Sequence, residues 1–220
     1  MKIILIGSTG FVGSHILEEA LERGHEVHAI LRDINKMTKT HPNLFLIKAD
    51  VMEEAELEDI FNTGYDAVIS AYNPGWSNPD IYNDFILGYK SILNALNDAK
   101  LKRIIIIGGA GSLIMNGSKL IDDNKFPKAI YNGAKAASDL LDTLYAEEDF
   151  LDWTMISPAI NLIDGKRTNT FKLGKDSPVF NSENESVISV QDLAAAAINE
   201  LEKPEHIRER FTLGSWYLII

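Results

Sequence analysis

The chain contains no cysteine in 220 residues. Disulfides, thiolate catalysis and Cys-ligated zinc are therefore excluded, and cysteine usage says nothing about redox compartment. Positive charge is in deficit: 21 Lys and Arg stand against 32 Asp and Glu, a net charge of −11. The mean field of such a chain repels a phosphate backbone, so no nucleic-acid partner is expected. Long hydrophobic runs are missing too. Ile3–Ile6 and Ile104–Ile107 are far too short for a signal-peptide core or a membrane span. The expectation is a cytoplasmic protein without a membrane partner. The five histidines (His15, His25, His28, His41, His206) share no metal-like spacing with carboxylates, and no metal is expected. Glu53-Glu54 and Glu147-Glu148-Asp149 read as solvated helix faces.

What is present is 45% apolar and 24% charged, the balance of a globular protein. The length suits one sizeable α/β domain rather than two. Short β-branched runs alternate with amphipathic stretches. Strands are predicted over 2–7, 26–31, 44–49, 66–71, 102–108 and 153–156. Helices are predicted over 11–23, 53–62 and 129–147, and another to about Asn97 with Asn78 as its cap and Pro79 at its first position. This rhythm implies right-handed crossovers and a parallel sheet. After Pro158 the pattern loosens into loops and short pieces. Ser189 then caps a helix to about Leu201, with Asp192 placed for a near capping box, and 209–213 is a last strand.

Gly7-Ser8-Thr9-Gly10-Phe11-Val12-Gly13 joins the first strand to the first helix. Gly7 lets the chain turn off the strand, Gly10 lets backbone approach a pyrophosphate, and Gly13 lets helix and strand pack closely. The helix N-terminus supplies free N–H groups and a positive dipole, so an acidic protein can still bind a polyanion.

With its GxxGxxG spacing, the chain resembles an atypical short-chain dehydrogenase/reductase of the NmrA-like group. It is similar there to bacterial NADH-flavin-reductase-like, biliverdin-reductase-B-like and NAD-dependent epimerase/dehydratase-like proteins. The matching stretches are Gly7–Gly13, Ile30-Leu31-Arg32, Ala49-Asp50-Val51, Asp66–Ala71, Gly108–Leu113, Leu151–Thr154 and Ser157-Pro158-Ala159. The resemblance implies an α/β fold, a Rossmann-type doubly wound parallel sheet flanked by helices. Its core would run to about 157 and a small substrate-side extension over about 158–220. It also implies a nicotinamide dinucleotide. Gly7, Ser8, Thr9, Gly10, Phe11, Val12 and Gly13 fall on its pyrophosphate loop. Arg32 falls where the adenosine ribose is read, and Asp50 and Val51 fall beside adenine. Ala71, Tyr72 and Asn73 fall on the nicotinamide ribose side, with Ser157, Pro158 and Ala159 flanking the nicotinamide, and Gly109 is a further cofactor-binding position. Arg32 favours NADP over NAD, since a guanidinium fork suits a 2′-phosphate; Lys36 would add charge. Asp33 would invert the preference if it faced the ribose.

Within the resemblance, Ser112, Tyr131 and Lys135 take the catalytic positions. Tyr131-Asn-Gly-Ala-Lys135 gives the tyrosine and lysine one helical turn apart. Two features depart from the family pattern. Ser112 lies 19 residues before Tyr131, a longer gap than usual, and Gly133 interrupts the helix start. Trp76, in a turn-rich aromatic loop, and Met115 are placed on the substrate side, Trp76 either as a platform for a flat ring or as a cap on the core. The leading expectation is hydride transfer from NADPH to a flavin- or quinone-type small molecule. Carbonyl reduction or sugar epimerisation or dehydration through Tyr131 is the second. A cofactor-sensing binding protein is the third. A monomer or homodimer is expected.

Overall fold

The structure is a computed structural model and describes residues 1–216. Its twelve strands are β1 (Lys2–Ile6), β2 (Glu26–Leu31), β3 (Leu44–Lys48), β4 (Ala67–Ser70), β5 (Arg103–Ile107), β6 (Ile114–Met115), β7 (Ser118–Lys119), β8 (Asp152–Ser157), β9 (Asn161–Ile163), β10 (Phe171–Gly174), β11 (Val187–Ser189) and β12 (Glu209–Ser215). Five helices connect them: α1 (Phe11–Glu22), α2 (Glu54–Phe61), α3 (Ile81–Asp98), α4 (Tyr131–Glu147) and α5 (Val190–Glu202). Eight strands form the main sheet in the order β10-β12-β8-β5-β4-β1-β2-β3. The fold is Rossmann-like.

The central strands are apolar at nearly every position because both faces of the sheet are covered. Ile4, Ile6, Val68, Ile104 and Ile106 face α2, α3 and α4. Ile3, Leu5, Ile69, Ile105 and Ile107 face α1 and α5. The register runs Ile6↔Ile30 on one side of β1 and Ile6↔Ser70 on the other. Strand order therefore reverses at β1, and the crevice at its C-terminal end is where open sheets of this kind bind ligands.

Three sequence expectations are corrected. The sheet is not wholly parallel: β10 runs antiparallel to β12, pairing Phe171 with Ser215. The helix expected from Pro79 starts at Ile81, with Asp80 at its cap position. Asn78 closes an Asx turn instead, its Oδ1 accepting from the Asp80 N–H at 3.0 Å. Ser189 does cap α5, accepting from the Asp192 N–H at 3.1 Å. The Asp192 carboxylate does not complete a capping box, because it accepts from the Thr168 and Asn169 N–H groups, both at 2.8 Å.

Candidate functional site

A cleft of about 900 Å³ crosses the C-terminal ends of the central strands. From β2 to β8 it spans four strand spacings, roughly 19 Å at about 4.8 Å each. At its centre is the loop between β1 and α1. Gly7 has φ +84°, and a Cβ there would stand 2.5 Å from the Ala71 carbonyl oxygen. A Cβ on Gly13 would overlap the Gly7 carbonyl. These two glycines are demanded by the fold. Gly10 is different. Its Cβ would meet only the Gly7 carbonyl oxygen, at 3.3 Å, and otherwise project into open space. Gly10 is the cap residue of α1, and no side chain caps the helix. The loop thus presents bare backbone and uncapped N–H groups, the donor set that suits a pyrophosphate. Thr9, Phe11 and Val12 also line the cleft, whereas Ser8 is buried with its hydroxyl unpaired and does not.

At the β2 end the lining includes Arg32, Asp33 and Lys36. Asp33 Oδ1 accepts from the Asn35 N–H at 3.1 Å and from Asn35 Nδ2 at 3.0 Å, capping the short turn Ile34–Lys36. That carboxylate is committed to its own loop, while Arg32 forms no ion pair among the described residues. Val51 lines the cleft nearby. Asp50 does not; its Oδ1 accepts from the Met52 N–H at 3.1 Å.

Beyond β4, Ala71, Tyr72, Asn73 and Trp76 line the other half. Tyr72 fits against α3, where a Cβ on Gly88 would stand 2.5 Å from its ring. Its hydroxyl donates to the Asp84 carbonyl at 3.1 Å. Burial and the Asp84 charge push that hydroxyl up to about 12. Trp76 is 58% exposed, and its indole covers Gly133 of α4. Phe126, Pro127 and Ile130 continue this apolar wall. Gly109, Pro158 and Ala159 line the floor, after β5 and β8.

Five expected residues fall outside this half of the lining. Ser112 is only 3% exposed. Its hydroxyl accepts from Arg210 Nη1 at 3.2 Å, and Arg210 in turn holds Asp176 Oδ1 through Nη2 at 2.6 Å. Ser112 Oγ lies 3.5 Å from Ser157 Oγ, and Ser157 is fully buried. Both serines brace the loops from beneath. Tyr131 and Lys135 share one stripe of α4, but Ile130, Gly133, Ala134 and Ala137 form the neighbouring stripe that meets the cleft. Lys135 Nζ donates to Asp139 Oδ2 at 2.6 Å, and the Tyr82 hydroxyl donates to the same carboxylate at 2.8 Å. The hydrogen bond to Asp139 raises the Lys135 pKa. Met115 lies in the β6–β7 hairpin, turned by Asn116 and Gly117 at positive φ. Leu120, just past that hairpin, lines the cleft instead.

Phe126, Pro127 and Ile130 are lining residues that the sequence did not announce individually. Their signal was the long gap between Ser112 and Tyr131, which holds the extra wall. Ile160, Asn161 and Leu162 were missed as well, because 159–186 read as loop.

Residues 7–204 match the family described as NAD(P)H-binding. The chain belongs to that family. It is similar to the uncharacterized protein YwnB of Bacillus subtilis, at 37% identity over 98% of this chain and 99% of that protein. Among solved structures it is similar to a candidate epimerase from Bacteroides thetaiotaomicron (41% identity, TM-score 0.91, 100% and 99% of the two chains). It is also similar to a candidate NADH-flavin reductase from Streptococcus pneumoniae (36% identity, TM-score 0.84, 98% and 99%). The family binds a nicotinamide cofactor, and the Gly10 cradle suits a pyrophosphate. No described helix is long and apolar enough to cross a membrane.

Proposed function

We propose that this protein is an NADPH-dependent reductase that delivers hydride directly to a flat conjugated acceptor of flavin or quinone type. One observation carries the reading. The acceptor half of the cleft is walled by Trp76, Phe126 and Ile130, while Ser112 is held by Arg210, Lys135 is paired with Asp139, and Tyr131 lies edge-on to Phe126 on the neighbouring stripe. Bound in the cleft, the cofactor would supply hydride from its nicotinamide. A carbonyl or sugar substrate needs a positioned acid as charge develops on oxygen. A conjugated ring spreads that charge and takes its proton from water afterwards, so it needs positioning above all. Trp76 offers one ring face for stacking. Gly109, Pro158 and Ala159 bring backbone and small side chains to the cleft floor.

The preference for NADPH rests on Arg32 and Lys36 at the β2 end, with the Asp33 carboxylate turned to Asn35. The relative described as an NADH-flavin reductase supports the acceptor class. The test is NADPH oxidation with riboflavin, menadione or no acceptor. Turnover on a flat acceptor is expected. Tight cofactor binding with no turnover on any acceptor would favour a cofactor sensor, and turnover confined to carbonyl compounds or nucleotide sugars would favour the Tyr131 chemistry.

A further inference from the structure

The charged side chains that line the cleft, Arg32, Asp33 and Lys36, all stand at its β2 end. Recognition of the acceptor must therefore use neutral groups. Tyr72 spends its hydroxyl on Asp84. Asn73 Oδ1 accepts from the Gly75 N–H at 2.8 Å, which fixes its amide within its own turn. Asn161 also lines the cleft, and its carboxamide makes no hydrogen bond among the described residues.

Its backbone, by contrast, is pinned. The Asn161 N–H donates to the Ser186 carbonyl at 2.9 Å, and the Ile160 N–H donates to Ser186 Oγ at 3.3 Å. Asn161 pairs with Val187 where β9 meets β11, and Ser186, Val187 and Ile188 are all buried. A rigid strand therefore presents an open side chain beside Pro158 and Ala159. A carboxamide there offers one donor face and one acceptor face to a planar partner, and the backbone that carries it needs no further ordering.

We infer that Asn161 is a specificity-determining residue that hydrogen-bonds a carbonyl or imide edge in the plane of the acceptor ring. The acceptor class is thereby narrowed to conjugated carbonyl compounds, such as quinones and rings that carry an imide edge. The inference rests on the reductase reading above.

The experiment compares wild type, Asn161→Ala and Asn161→Leu, each loaded with NADP+. Riboflavin and phenazine serve as probes, two flat tricyclic rings of which only the first has carbonyl and imide groups. Dissociation constants for both, and for NADPH, are measured by fluorescence and calorimetry, alongside KM and kcat for riboflavin. Both variants are expected to weaken riboflavin roughly threefold to tenfold, the value of one neutral hydrogen bond. Phenazine and NADPH affinities should stay within twofold. Equal losses for riboflavin and phenazine would overturn the inference, since only ring packing would then have changed. A loss confined to NADPH would overturn it too, placing the amide on the cofactor. If wild type binds and reduces riboflavin and the variants match it, the inference fails alone. If wild type neither binds riboflavin nor reduces any acceptor, the reductase reading fails and takes this inference with it.

Discussion

The indole of Trp76 lies over Gly133. A Cβ built on that glycine would stand 2.7 Å from Trp76 Cζ3 and 2.9 Å from Ile81 Cδ1. Glycine in a helix interior costs about 1 kcal/mol relative to alanine. Here the missing methyl group lets an aromatic side chain from the β4 loop settle against α4. Gly133→Ala should therefore bring no gain in thermal stability despite the better helix former. It should raise the KM for a flat acceptor severalfold and leave NADPH affinity unchanged. A more stable variant with an unaltered acceptor KM would show that Trp76 does not need the glycine.

Gly10 and Gly13 should respond in opposite ways. Gly10→Val adds a branched side chain toward open cleft, so the fold should survive while NADPH binding is abolished. Gly13→Val drives a side chain into the Gly7 carbonyl, so it should cost stability first. Calorimetry with NADPH and thermal unfolding of both variants separate the cases. Unchanged affinity in Gly10→Val would remove the pyrophosphate from this loop.

Arg32→Ala should weaken NADPH and spare NADH. A charge-assisted hydrogen bond is worth roughly 1.5–3 kcal/mol, about ten- to a hundredfold in affinity. The measurement is the pair of dissociation constants at matched ionic strength. Tighter NADH than NADPH binding in wild type would reverse the assignment.

Tyr131→Phe and Lys135→Met should each cost less than about tenfold in turnover on a flat acceptor. A general acid contributes roughly 10²–10⁴-fold. A loss in that larger range, with cofactor affinity intact, would move the chemistry to a carbonyl or sugar substrate.

Glu19 on α1 is buried and accepts from Arg167 Nε and Nη2, both at 2.6 Å, and from Arg23 Nε at 2.7 Å. Burial alone would raise its pKa, but the two arginines outweigh burial and lower it below the ordinary 4.5. A depressed carboxylate stabilises the fold fully above the unfolded value and loses that contribution as pH falls through the folded one. Glu19→Gln should cost roughly 1–2 kcal/mol at pH 7, since the arginines it leaves are partly exposed, and the gap from wild type should close at strongly acid pH. Urea unfolding across that range checks it; a gap independent of pH would exclude the charge as its origin.

The sheet was readable because its central strands are short apolar, mostly β-branched runs, and every main-sheet strand up to β8 fell within a residue or two of its predicted bounds. The stripe shared by Tyr131 and Lys135 was also readable, since it needs only the helical period. Which stripe of α4 meets the cleft was not, because that depends on the packing of Gly133 and Ala137 against other elements. Ser112 illustrates the same difficulty. Its partner Arg210 is 98 residues away, and no local pattern announces such a contact. The C-terminal wall escaped notice because β9 and β10 are three- and four-residue strands with little periodicity to detect.

The placement of β12 between β8 and β10 sets an order on the folding of the chain during synthesis. The six strands from β3 to β8 can close over the cofactor crevice as soon as residue 157 has emerged. β10 has no sheet edge to join until β12 has been made, more than thirty residues later. The half of the cleft that carries the Gly7–Gly13 loop can therefore form on the ribosome first. The wall bearing Asn161 is completed afterwards, once β11 has emerged to pair with β9.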